Sequence, residues 1–217
     1  MPPLLSLNAL QANARDLAGK KIKDVCHDLS FLKHNDKGSI GQIFEKILGA
    51  TSGTLAQPDF AHLGIELKTI PIVNGHRVKE STFICVASLL PEKISFLESG
   101  VYQKLKHVLF VPYQGEKDIP LLERDIGTPF FWQPNQTEFN ILKNDYEELM
   151  HKIIMGESAS LRALLGQALQ IRPKGQNKTV LTQAIDSEGE TLWVNARGFY
   201  LRPTFTESII RRVFENT

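Results

Sequence analysis

Apolar positions recur at helical spacing over the first fifty residues, change to the alternating or continuous pattern of strands over the next sixty, and then return to helical spacing. Ser6 is placed to cap a first helix in which Leu7, Leu10, Ala14 and Leu17 form one stripe, with Gly19 to end it. A second helix is expected from Ile22 to Leu32. The stretch "DKGSIGQIFEKILGA" predicts a third: Ser39 and Gln42 have capping-box spacing, Ile40, Phe44, Ile47 and Leu48 make the stripe, and Gly49 stops it. "GIELKTIPI", "STFICVASL" and "KHVLFVPY" read as central strands, the second covered on both faces because it is almost wholly apolar. Phe139, Leu142, Tyr146, Leu149 and Ile153 set a long helix from Thr137 to Met155, closed by Gly156. Short strands and turns follow from Leu169 to Arg202. A last helix, capped by Thr206 or Thr204, is expected to turn Ile209, Ile210, Val213 and Phe214 inward and Arg211 and Arg212 outward. The order of elements predicts a mixed α/β fold.

Composition narrows the setting more than the activity. The chain has 217 residues, 42% of them hydrophobic, enough to build one large domain or two small lobes. Its 25 basic and 24 acidic residues nearly cancel, so a polyanion site has to come from local clustering. Cys26 and Cys85 form no CxxC pair, which fits a reducing compartment, with cytoplasm as the expectation. No apolar run approaches the roughly 20 residues of a membrane-spanning helix, and the opening "MPPLLSLNAL" lacks the pattern of a secretion signal. The six histidines, His27 and His34 among them, follow no metal-ligand spacing.

The chemistry concentrates in "DFAHLGIELKTIP". On a strand, Glu66 and Lys68 point to one face while Ile65, Leu67 and Thr69 point to the other. Taken alone, the pair describes an exposed strand face with a weak ion pair. Asp59 changes that reading if a turn at Gly64 folds it back onto the strand. Asp59, Glu66 and the carbonyl of Leu67 would then offer oxygen ligands of the kind Mg2+ prefers. Lys68 would stand ready to orient a water or neutralise a pentacovalent phosphorus, as phosphodiester hydrolysis requires.

This order of residues resembles the D...(D/E)xK signature of restriction-endonuclease-like nucleases. Over nearly the whole chain, "DKGSIGQIFEKILGA", "DFAHLGIELKTIP", "TFICVA", "KLKHVLFVP", "LQIRPKG" and "RGFYL" resemble, in order and spacing, the MutH family of DNA mismatch-repair endonucleases. The resemblance implies a single endonuclease domain over residues 1–217, with a restriction-endonuclease-like mixed sheet flanked by helices and two lobes forming a DNA-binding cleft. It implies Mg2+-dependent nicking of the unmethylated strand at hemimethylated GATC sites by a monomer, activated by MutL, with MutS upstream. Carried over residue by residue, Glu45, Asp59, Glu66 and Lys68 form the catalytic set. Asp59, Glu66 and Leu67 bind metal with assistance from Glu45, and Lys104 is an additional active-site or phosphate lysine. Lys37, Phe83, Arg172, Pro173, Lys174, Gly175 and Tyr200 contact DNA, with Lys178 adding to the basic loop and Tyr200 near the adenine whose methylation is sensed. A GATC-specific restriction endonuclease shares these motifs, and a DNA-binding module without catalysis or an RNA-cleaving enzyme could share the fold.

Overall fold

A computed structural model describes residues 5–26, 39–51, 57–75, 77–157, 161, 166–174 and 180–215. In chain order the elements are α1 (Leu7–Arg15), α2 (Ile22–Val25), α3 (Ser39–Leu48), β1 (Glu66–Val73), β2 (Arg77–Val78), β3 (Thr82–Ala87), α4 (Gly100–Leu105) and β4 (Val108–Gln114). They continue with β5 (Phe130–Trp132), α5 (Gln136–Ile154), β6 (Leu169–Pro173), β7 (Leu181–Ile185), β8 (Thr191–Asn195), β9 (Arg197–Leu201) and α6 (Pro203–Phe214). The chain forms two compact units, Met1–Glu80 with Lys106–Gln133 and Ser81–Leu105 with Pro134–Thr217.

The first unit is built on a mixed sheet of order β2-β1-β4-β5, in which β1 and β4 run parallel and the other pairs are antiparallel. Ile65 and Leu67, on one face of the β1 segment, join Leu10, Ile22, Ile43, Phe44 and Leu48 from the three helices in a continuous apolar core. The opposite face carries Glu66 and Lys68, whose register partners on β4 are Val108 and Phe110. Val108 through Val111 are all inaccessible, so β4 is the strand buried on both faces. Tyr113 belongs to the same core, and burial first, then the charge of Glu80, push its phenol up to about 12. A folded-state pKa above the unfolded value of 10 means that this group's contribution is complete below pH 10 and fades as pH rises toward 12. Stability is therefore expected to fall between pH 10 and 12, and Tyr113→Phe to remove about 2–3 kcal/mol of that fall. Urea midpoints of both proteins at pH 8 and 11.5 check this, and equal losses in the two would refute it.

The second unit carries a sheet of order β3-β9-β6, all antiparallel, and the two-stranded ribbon β7-β8. Leu142, Tyr146, Leu149, Met150 and Ile153 of α5 are buried, and Tyr146 packs its ring 5.7 Å from that of Phe199 on β9. Asn135 caps α5 in a reciprocal box with Glu138.

Several expectations are corrected. The helix at Ile22 ends at Val25, because Cys26 is already extended, and residues 27–32 lie outside the described ones. β3 is the edge of the second unit's sheet, with Val86 54% exposed, so its apolar composition does not report cover on both faces. α6 starts earlier than Thr204 or Thr206 would allow, with Arg202 at the N-cap and Pro203 in the first turn, where a missing N–H costs nothing. Phe214 is exposed, and Arg212 turns back to grip the nearly buried Glu138 through Nε and Nη2 at 2.9 and 3.0 Å. That fork ties the last helix to the first turn of α5. Arg211 is exposed as expected.

Candidate active site and nucleic-acid interface

The path from Asp59 to Lys68 is a tight reversal. Phe60 and Ile65 exchange backbone hydrogen bonds, N–H to O, at 2.9 and 3.3 Å around a single 3-10 turn, Ala61–Leu63. Gly64 closes it at φ 64°, a left-handed conformation that a side chain would strain. The turn returns Asp59 to the start of β1, where its Oδ2 accepts the backbone N–H of Leu67 at 2.8 Å. Within a strand the N–H and C=O of one residue leave toward the same edge, so the Leu67 carbonyl emerges on the Asp59 side of β1.

Glu66 and Lys68 share a face, but that face is not a solvated one. The Glu66 side chain is 1% exposed and that of Lys68 15%, and Lys68 Nζ donates to Glu66 Oε1 at 2.6 Å. The exposed-strand reading is thereby overturned. A carboxylate buried beside Val108 and Phe110 requires a partner. Burying such a pair typically costs more in desolvation than it returns, so packing alone does not account for it. Asp59 is also buried, at 6%. Two inaccessible carboxylates thus reach one end of β1 from ten consecutive residues.

The remaining expected catalytic residues, Glu45 and Lys104, come from helices. Glu45 is half-buried on α3, a helix that packs on β1, and Thr51 just beyond it donates its N–H to the Asp59 carbonyl at 3.0 Å. Among the described residues, no three or more of His, Cys, Asp and Glu gather as a metal cluster. The two carboxylates and the Leu67 carbonyl, all at the start of β1, are oxygen donors of the kind that suits a hard divalent cation. Lys104 lies in the last turn of α4, in the second unit, and not at the start of a strand; β4 begins only at Val108.

The second unit gathers most of the expected DNA-contacting residues on one sheet face. Core side chains Phe199 and Leu201 occupy the other face of β9, which leaves Gly198 and Tyr200 on this one. Tyr200 has Phe83 as register partner on β3 and Gln170 on β6, and the Phe83 ring stands edge-on to it at 5.3 Å. Arg172 places its guanidinium 5.9 Å from the Tyr200 ring centre, and the Lys174 ammonium is 5.6 Å from that of Phe83. Ser81 Oγ accepts from Arg172 at 3.0 Å and from the buried Gln170 amide at 2.6 Å. Burial raises the Tyr200 phenol, an effect that Arg172 partly offsets, so the hydroxyl keeps its proton at neutral pH. Pro173 ends β6. Lys37, Gly175 and Lys178 lie outside the described residues. Sequence reasoning missed Ser81, Gln170 and Gly198; Gln170 carried a signal, since it follows Leu169 in a strand beside two candidate DNA ligands.

An aspartate folded against a Glu-x-Lys strand in a mixed sheet under helices is the layout of the D...(D/E)xK nuclease class. The family model described as DNA mismatch repair enzyme MutH matches residues 48–145. The chain is 42% identical to the DNA mismatch repair protein MutH of Shewanella woodyi over 96% of this chain and 93% of that one. It is 42% identical to that of Shewanella baltica strain OS195, over 99% and 96%. The corresponding Vibrio parahaemolyticus protein is 43% identical over 95% and 94%. The chain belongs to the MutH family of DNA mismatch repair enzymes. No helix among the described residues is long and apolar enough to cross a membrane.

Proposed function

We propose that this protein is the methyl-directed endonuclease of mismatch repair, hydrolysing one phosphodiester on the unmethylated strand of a hemimethylated GATC site. The observation that carries the reading is the return of Asp59 onto the Leu67 amide beside the buried Glu66–Lys68 pair. Mg2+ would be held by Asp59, Glu66 and the Leu67 carbonyl, with Glu45 assisting from α3; when bound it supplies Lewis-acid polarisation of the phosphate and a more acidic water. Lys68, held by Glu66, orients the attacking water and offsets charge that develops at phosphorus. Lys104 acts as an additional phosphate contact.

Sequence reading falls to the second unit. Arg172 and Lys174 supply donors for guanine acceptors or phosphates, with Lys37, Pro173 and Gly175 adding to the DNA contact. Tyr200, next to Phe83, meets the adenine amino group, where a methyl adds bulk and removes one donor hydrogen. The protein works as a cytoplasmic monomer. Its net charge of +1 gives weak electrostatic attraction to DNA, which fits dependence on MutL for full activity.

The test is nicking of three otherwise identical plasmids, unmethylated, hemimethylated and fully methylated at the GATC adenine, with Mg2+ or EDTA and with or without MutL and ATP. Mg2+-dependent nicks confined to unmethylated strands, and faster with MutL, are expected. Cutting that ignores methylation would remove the role given to Tyr200. Double-strand cutting indifferent to MutL would indicate a restriction enzyme, and no cutting in any arm would indicate a DNA-binding module.

A further inference from the structure

The reading face of the second unit depends on a residue with no side chain. β3 and β9 keep regular antiparallel register at Phe83–Tyr200, slip between Phe83 and Cys85, and resume at Cys85–Phe199 and Val86–Gly198. Tyr200 and Phe199 point to opposite faces of β9, so the bulge alone allows Phe83 and then Val86 to appear on the Tyr200 side. With the strand turned in this way, the Phe83 ring lies down across β9 over Gly198. A Cβ at Gly198 would sit 2.6 Å from Phe83 Cε2, 3.3 Å from its Cδ2 and 3.0 Å from the carbonyl oxygen of Cys85. Gly198 has an ordinary negative φ and is not required for backbone conformation. What it provides is space.

We infer that Gly198 is a positioning residue for DNA reading: its missing side chain seats the Phe83 ring, and the seated ring places Tyr200 and Lys174. The ring centre stands 5.3 Å from that of Tyr200 and 5.6 Å from the Lys174 ammonium. Lifting it disturbs both contacts together. Gly198 is also the register partner of Arg172, so the seat lies beneath the centre of the face. The Asp59, Glu66 and Lys68 group belongs to the first unit, and Gly198, Phe83 and Tyr200 to the second. The inference rests on the reading of this face as the DNA-recognising surface.

The experiment is a double-mutant cycle in the full chain with Gly198→Ala, Phe83→Ala and both together. A GATC duplex and the same duplex with the site scrambled serve as probes at fixed salt. Gly198→Ala is expected to raise KM for the GATC duplex and lower GATC preference about tenfold, the scale of losing one base contact, while kcat at saturating duplex stays within about twofold. In the Phe83→Ala background the same substitution should add less than about twofold, because the ring it would strike is gone. Equal losses in both backgrounds would place the effect on the Cys85 carbonyl and overturn the inference, as would unchanged KM and preference in Gly198→Ala. If Gly198→Ala alone does not fold, recovery of folding on adding Phe83→Ala supports the seat, and failure in both backgrounds overturns it. Arg172→Ala provides the separate control: GATC preference undisturbed by both Arg172→Ala and Phe83→Ala would reject the DNA-reading face itself.

Discussion

Glu66→Gln is expected to reduce nicking of a GATC duplex by about 10³-fold or more, roughly 4 kcal/mol of transition-state stabilisation. The substitution preserves shape and most packing, but a neutral amide neither holds a divalent cation nor keeps the Lys68 ammonium in place as a carboxylate does. Asp59→Asn should fall as far for a related reason, since the amide loses the charge while its oxygen can still accept from Leu67 N–H. Single-turnover rates at saturating enzyme, beside duplex affinity and melting temperature, separate chemistry from folding. Because both carboxylates are buried, the comparison has to be made well below the melting temperature of the variants. Retention of more than a tenth of the wild-type rate in either variant would remove that residue from the catalytic group.

Asp145→Ala should be the most damaging substitution to stability outside the apolar core. The residue is 5% exposed, and its carboxylate accepts three consecutive backbone N–H groups, those of Gln167, Ala168 and Leu169, at 3.0, 2.6 and 2.8 Å. Alanine leaves these amides without that acceptor, two of the bonds being buried, for an expected loss of about 3–5 kcal/mol. For a chain of this size that is a fall of roughly 8–15 °C in melting temperature. Asp145→Asn, which keeps one acceptor oxygen, should lie between. Denaturant titration of the three proteins measures this, and a loss under 1 kcal/mol for alanine would show that water replaces the carboxylate without difficulty. Since β6 starts at Leu169, Asp145→Asn should also loosen the approach of Arg172 and Lys174.

Asp145 also shows where sequence reading stops. It lies on α5 between Leu142 and Tyr146, so an acidic residue beside the apolar stripe was visible, but its partners are more than twenty residues away. α1, α3 and α5 were legible because their stripes repeat over several turns, and β1 because Glu66 and Lys68 alternate with Ile65 and Leu67. Alternation established that the two charges share a face; it carried no information that Val108 and Phe110 would flank them. β3 was assigned to the centre of the fold from its composition, which does not specify the sheet a strand joins or the bulge after Phe83. The outward assignment of Arg212 failed similarly, because its Glu138 partner is seventy-four residues earlier. The proposed metal ligands and Lys68, all within Asp59 to Lys68, were readable together, whereas the proposed DNA-contacting residues, Phe83, Arg172, Lys174 and Tyr200, came through family resemblance.

The turn that returns Asp59 to β1 has a second consequence. β2 pairs with β1 only at Ile72 and Val73, while Phe60 pairs with Ile65 and Asp59 takes the N–H of Leu67 at the other end of the strand. An open strand edge invites pairing with a second molecule and, from there, aggregation. The Asp59 carboxylate occupies the Leu67 N–H, a backbone donor that a neighbouring strand would otherwise take. A substitution at Asp59 therefore also leaves the Leu67 N–H to find another acceptor, a cost in strand closure separate from any loss of hydrolysis.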